Sequence, residues 1–432
     1  MGGRSTTLQE ELQSLIDDPY KKPRTLANSN APLLPVIREF KDLIEGDAEV
    51  YMLFHCMFDQ IPNSPTYRND PSGKPQVRDY KTMLSALNLV IRYAPIFLNV
   101  PGRTTEYASD MLEWPMATPA GSTAFLNAKV NAQLKKILND WATYLRSPES
   151  RSSLTNDQNG WFGEPAMKSM PNFDEEFICD PNAPFHGFSS WDDFFTRQYR
   201  PGIRPVEFPD NDSIIANACE AGPFRVAYDV KANDKFWIKD EPYSLNHMLA
   251  NDDYAPRFNG GTVYQALLHS KAYHRWHSPV SGVIRKAYIV PGAYFAANSI
   301  QGFDALGPHR SLAYITQVNT RAVIFIEADD PSIGLMCFLA VGMCEFSSCE
   351  CTVVDGQRVI KGEQLGIFHY GGSTYCLIFR PETKITFHLQ DVTPGLGARD
   401  WPVRSALASV GGGRKDPWVL VDGCESIRVT AL

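Results

Sequence analysis

Along the first third of the chain, apolar residues recur at helical spacing. Leu8, Leu12, Leu15 and Ile16 share one face, as do Val130, Leu134, Ile137, Leu138, Trp141 and Leu145. "PVIREFKDLIEGD" is a further amphipathic candidate. The spacing predicts a helical domain over residues 1–147. The polar run "SPESRSSLTNDQNG", residues 147–160, breaks the pattern and reads as a linker. It opens a connecting segment over residues 148–189. "SSWDDFFTRQYRPGIRP" then reads as a helix ended by Pro-Gly. Past about residue 210 the texture changes: short runs rich in Val, Ile, Phe and Tyr ("GPFRVAYDV", "SGVIRKAYIV", "RAVIFIEAD", "STYCLIFR") alternate with Gly, Pro, Asn and Asp. That pattern predicts an antiparallel, β-rich domain over residues 190–432, hence an α+β fold.

Composition narrows the classes. An apolar content of 44% supports a sizeable core, and a net charge of −8 argues against nucleic acid as a partner. The longest apolar run, "IGLMCFLAVGM" from Ile333 to Met343, is far short of the ~20 residues that span a bilayer. It reads as a buried strand, with no stable membrane insertion. Nine cysteines without a CxxC pair read as core thiols in a reducing, cytoplasmic setting. "CEC" puts Cys349 and Cys351 on one face of a strand. No metal site is expected, because no ligand set falls at recognisable spacing.

Three places carry candidate chemistry. In "FHYGGSTYCLIF", Gly371, Gly372, Ser373 and Thr374 interrupt what should be a buried strand. One reading is a β-bulge with a surface hydroxyl. The other is self-processing: glycine leaves its carbonyl unshielded and tolerates strained backbone. Ser373 Oγ would attack the Gly372 carbonyl and turn the peptide into an ester. Elimination would leave a dehydroalanine, which hydrolyses to a pyruvoyl group. In "AYHRWHSP", His274 and His277 lie three apart, on opposite faces of an extended strand and together on a turn. They are candidate proton carriers, or else structural. Glu220 in "IIANACEAGPFRV" is either an edge-strand surface acid or a carboxylate that orients a histidine.

These residues, taken with "WDDFFTRQYRPGIRP", "YSLNHML", "AYHRWHSPVSG", "VPGAYF" and "IKGEQLGIFHYGGSTYCLIF" in this order, resemble the phosphatidylserine decarboxylase family of pyruvoyl enzymes. The likeness covers residues 190–380, and the N-terminal region resembles the extra domain of a fungal branch. The resemblance implies cleavage between Gly372 and Ser373, with Ser373 becoming a covalent pyruvoyl cofactor. It implies that His277 is the base of self-cleavage and that His274 serves the decarboxylation cycle. Glu220 stands where the family usually has Asp, and Gly371-Gly372 where it usually has Leu-Gly. For the fungal branch the implied substrate is a free aromatic L-amino acid, tryptophan first, with phosphatidylserine as the alternative. The large and small cleaved chains would stay associated.

The chemistry is coherent. Decarboxylation leaves a carbanion, and a pyruvoyl ketone joined to the substrate amine as a Schiff base is an electron sink that ordinary side chains lack. Two other classes compete. One is a pyridoxal phosphate enzyme using Lys271, which the β-rich texture disfavours. The other is a binding protein on a carrier-like domain, suggested by the glycine spacing of "VDGQRVIKGEQLGIF" but lacking a Met-Lys hairpin. Trp161, Phe162 and the aromatics of "GAYF" are candidate pocket walls.

Overall fold

Leu34 leads into Pro35, whose fixed φ suits a first helical turn. The helix α1 (Pro35–Gly46) buries Ile37, Phe40 and Ile44. Asp47 ends it and caps the next helix, α2 (Ala48–Asp59), accepting from the N–H groups of Glu49 and Val50. Asn127 caps α5 (Ala128–Leu145) in the same way, after α3 (Tyr80–Val90) and α4 (Pro119–Leu126). All six apolar positions read from the α5 sequence are buried, each stabilising the packed state by roughly 1.5–3 kcal/mol. The computed structural model describes residues 32–62, 77–97, 112, 114–234, 242–298, 311–343, 348–389 and 392–411. The helix expected around Leu8, Leu12, Leu15 and Ile16 lies outside the described residues.

The linker reading of residues 147–160 fails. Pro148–Ser153 is a 3-10 turn. Ser150, Ser153, Leu154, Trp161 and Phe162 are all buried. Polar residues mislead here because their hydroxyls are satisfied locally: Ser150 Oγ donates to the carbonyls of Leu145 and Ser147 and accepts the Trp191 N–H. The whole 148–189 segment, with short helices α6 (Glu164–Ser169) and α7 (Phe173–Glu176), belongs to the helical core. That core also takes in α8 (Trp191–Phe195). Trp161, Phe162, Tyr294 and Phe295, the candidate pocket walls, are part of the same core, which also holds Tyr273 and Tyr370.

The rest is antiparallel sheet, as the sequence predicts. Strands β2 (Gly222–Val230), β3 (Gly261–Leu268), β5 (Gly282–Val290), β6 (Arg321–Ala328), β7 (Leu335–Met343), β9 (Arg358–Val359) and β11 (Gly372–Phe379) form one sheet, in the order β2-β3-β11-β7-β6-β5-β9. A second sheet has β10 (Gln364–Phe368) between β4 (Arg275–His277) and β8 (Cys349–Cys351); a third has β13 (Ala406–Val410) between β1 (Ile214–Ala216) and β12 (Ile385–Phe387). Every residue of β7 is buried. Its alternate side chains enter two separate cores, Met336, Phe338 and Ala340 on one face and Cys337, Leu339 and Val341 on the other. A strand covered on both faces reads as a continuous apolar run.

Candidate active site

Two connections cross at one end of the large sheet. The segment 269–274 leaves β3 beside Leu268 and enters β4, while the turn 369–371 leaves β10 and enters β11. Ser373 is the register partner of Leu268 on β3 and of Gly342 on β7. The His274 carbonyl accepts the N–H of Phe368, the last residue of β10. Ser373 and His274 therefore stand at opposite corners of one small circuit of backbone. His277, two positions along β4 from Arg275, pairs with Gln364.

The turn explains its glycines. Gly371 sits at φ +137°, a region that residues with a Cβ avoid. Ser373 is 1% exposed, and among the described residues its Oγ has no hydrogen-bond partner. This is no surface hydroxyl on a bulge. A buried hydroxyl left unpaired costs roughly 1–3 kcal/mol, beside a peptide whose carbonyl residue has no side chain. Those features fit a serine converted in place to another group.

His274 is fully buried and stacks on Phe195 with ring centroids 4.1 Å apart. Its Nε2 has a long contact of 3.4 Å with the Ser270 carbonyl, and among the described residues Nδ1 is unpaired. Burial, then the Arg197 guanidinium, pushes its pKa down to about 3. Arg197 donates to the carbonyls of Lys271 and Ala272, so it also fixes the segment carrying His274.

His277 is bonded at both nitrogens. Nδ1 lies 2.9 Å from the Gly362 carbonyl, to which the Nδ1–H tautomer donates. Nε2 then accepts from the Tyr273 hydroxyl at 2.9 Å. Burial raises Tyr273 to about 12, which keeps that hydroxyl neutral. Burial, then Arg404 with its Nη2 3.1 Å from Nδ1, holds His277 down at about 3. Tyr273 and Arg404 were not singled out from sequence; Tyr273 adjoins His274 in the motif, whereas Arg404 gives no local signal.

The expectation that Glu220 orients a histidine is not met by direct contact, and neither is its surface alternative. Glu220 is 8% exposed. Its oxygens accept from Arg204 Nε (3.1 Å to both) and Arg204 Nη2 (2.8 Å), and from the Val403 N–H at 2.8 Å. The pairing holds Arg204 as a cation, its pKa raised first by that hydrogen bond. Glu220 reaches the His277 ring indirectly, through the Val403–Arg404 backbone, with Arg404 at a strained φ of +68°, and through Arg204, Tyr199 and Tyr273. Glu220→Gln is accordingly expected to lower unfolding free energy by about 2 kcal/mol while leaving chain cleavage intact, followed by urea titration and gel analysis. Lost cleavage at unchanged stability would restore a catalytic role.

The other candidates resolve simply. Lys271 Nζ lies 5.2 Å over the Phe97 ring. Cys349 and Cys351 are free, partly buried thiols, with Cys351 pushed up to about 11 by burial and then by Glu350. Among the described residues, no cluster of His, Cys, Asp and Glu is arranged to hold a metal ion, and no helix is long and apolar enough to cross a membrane.

A family model described as phosphatidylserine decarboxylase matches residues 191–395, and a second of that description matches residues 34–170. Over 399 residues the chain is 37% identical to the L-tryptophan decarboxylase of Psilocybe cubensis, covering 87% of each protein. The chain belongs to the phosphatidylserine decarboxylase family. It is a decarboxylase, and the family is pyruvoyl-dependent rather than dependent on pyridoxal phosphate, which removes the Lys271 alternative along with the carrier-like one. The chain is also 45% identical over 296 residues to the decarboxylase iboD of Amanita muscaria, spanning 64% of this chain and 84% of that protein. Against phosphatidylserine decarboxylase proenzyme 3 of Schizosaccharomyces pombe it is 30% identical over 234 residues, 53% of this chain and 23% of that protein.

Proposed function

We propose that the chain is a self-processing decarboxylase of free aromatic L-amino acids, L-tryptophan first, with its catalytic unit over residues 190–432 and its cofactor made from Ser373. The observation that carries the substrate reading is the extent of likeness. Similarity to an L-tryptophan decarboxylase runs through 87% of the chain, helical region included, whereas similarity to a phosphatidylserine decarboxylase proenzyme spans 53%.

In cleavage, Ser373 Oγ attacks the Gly372 carbonyl, and His277, neutral and basic at Nε2, takes the hydroxyl proton once Tyr273 yields or relays it. The peptide becomes an ester. Loss of a Cα proton from residue 373 expels the Gly372 carboxylate, and water then releases ammonia and leaves the pyruvoyl ketone. That ketone supplies the electron sink that ordinary side chains lack. His274 Nδ1 is placed to relay a proton to Cα after carbon dioxide departs. Burial of His274 against Phe195 keeps water from competing. The small chain stays bound because β11 is paired along its length, with β3 on one side and β7 on the other.

The test uses purified, cleaved protein without added cofactor or metal. Release of carbon dioxide from L-tryptophan is expected, together with borohydride-dependent addition of substrate mass to the 373–432 chain. Activity on phosphatidylserine vesicles, and none on aromatic amino acids, would give the alternative substrate.

A further inference from the structure

The turn that carries the scissile bond is held from outside the β-rich part. Tyr370 is 1% exposed. Its ring meets three aromatic rings of the helical core nearly edge-on: Trp141 of α5 at 5.6 Å, Trp191 of α8 at 4.7 Å and Phe195 at 5.5 Å. Such pairs stabilise by roughly 0.5–1.5 kcal/mol each beyond their area. Beside it, His369 Nδ1 lies 2.9 and 3.1 Å from the two carboxylate oxygens of Asp192 on α8, and Nε2 lies 2.9 Å from Glu350 of β8. Arg146, which ends α5, reaches Asp192 at 3.6 Å and His369 Nε2 at 3.3 Å. With a carboxylate at each nitrogen, the ring is placed to donate twice, which requires the imidazolium. No step of the cleavage described above uses His369 or Tyr370.

We propose that His369 and Tyr370 are positioning residues for self-cleavage, through which the helical region grips the turn and presents the Gly372 carbonyl to Ser373. The inference rests on the self-processing reading and assigns the helical region a part in it. Gly371, at φ +137°, is the single residue between the gripped pair and Gly372. An anchor this close fixes the direction of the following carbonyl, whereas a free Gly-Gly turn would sample many. A displacement of about 1 Å from the productive geometry can cost ~10²-fold in rate.

The ionic half of the grip is sensitive to pH. The charges facing His369 are Asp192 from α8, Glu350 from β8 and Arg146 at the end of α5. Burial resists the imidazolium, but Asp192 and then Glu350 outweigh it, so the pKa of His369 is raised. A raised pKa means the grip is complete below the ordinary imidazole range and is lost as pH rises through the raised value. Cleavage should slow on that alkaline side.

Pulse-labelled full-length chain from cell-free synthesis provides the test, with the half-time of cleavage measured from pH 5 to 9. His369→Gln and Asp192→Asn are expected to lengthen the half-time at neutral pH at least tenfold and to flatten the alkaline limb, with Asp192→Glu restoring part of both. Tyr370→Leu, which removes the ring from its three aromatic neighbours, should slow cleavage. Thermal midpoints of the same changes in an uncut Ser373→Ala background separate positioning from stability. Slowing that merely tracks a lost midpoint, with the pH profile unchanged, would overturn the proposal. Wild-type rates in His369→Gln would overturn it alone, and a wild-type chain that never cuts would overturn it with the self-processing reading.

Discussion

Ser373→Ala is expected to remain one uncut chain and to decarboxylate nothing, while the unaltered chain yields residues 1–372 and 373–432. The substitution removes one oxygen whose hydrogen-bonding capacity is unmet among the described residues, so folding should not suffer. What disappears is the nucleophile and, with it, the only source of the ketone. Since enzymes accelerate reactions by at least about 10⁶-fold, activity should fall below detection. Intact-mass spectrometry gives the answer directly. The 373–432 chain of the unaltered protein should be lighter by one ammonia than a serine-initiated chain and should resist Edman degradation. A cut Ser373→Ala chain, or a small chain beginning with serine, would falsify the mechanism.

The second large effect separates the two histidines. His277→Ala should leave the chain uncut, because the Ser373 hydroxyl loses its base. His274→Ala should cut normally yet lose roughly 10²–10⁴-fold in decarboxylation, the usual contribution of a general acid–base group. The pKa of His277, held near 3, adds a signature. A ring that is neutral down to that value gives cleavage no acid limb between about pH 5 and 7, whereas an ordinary imidazole would halve the rate near pH 6.5. Gel analysis of both variants and an acid-side rate profile check these points. Equal cleavage and equal activity in the two variants would refute the division.

How far the sequence carried this picture depends on the range of each signal. The helices α1 and α5 and the buried strand β7 were legible because their periods are local. So was Ser373, since a Gly-Gly-Ser-Thr run inside an aromatic strand is conspicuous in a single line of text. Residues 147–160 were misread because serines satisfied by neighbouring carbonyls look like solvated ones. The partners of Glu220 were not legible because Arg204 and the Val403 N–H are brought to it by the turn after α8 and by the third sheet. Arg404 gives no local signal, and although Asp192 and Tyr370 lie within conspicuous motifs, their partners do not: each meets a residue more than a hundred positions away.

The central place of β11 in the seven-stranded sheet has a consequence for the life of the molecule. Before the cut, the sheet assembles from one chain, and its stability is independent of concentration. In the cut protein proposed above, the same strand would be the N-terminal end of a separate polypeptide, paired with β3 and β7 but no longer tied to them. Unfolding then becomes dissociation, and refolding a second-order search by a short chain for a gap between β3 and β7 that exists only when the strand already fills it. A chain cut in this way is therefore expected to persist through the height of its unfolding barrier rather than through a reversible balance. Once denatured, it should not return, although its uncut precursor should.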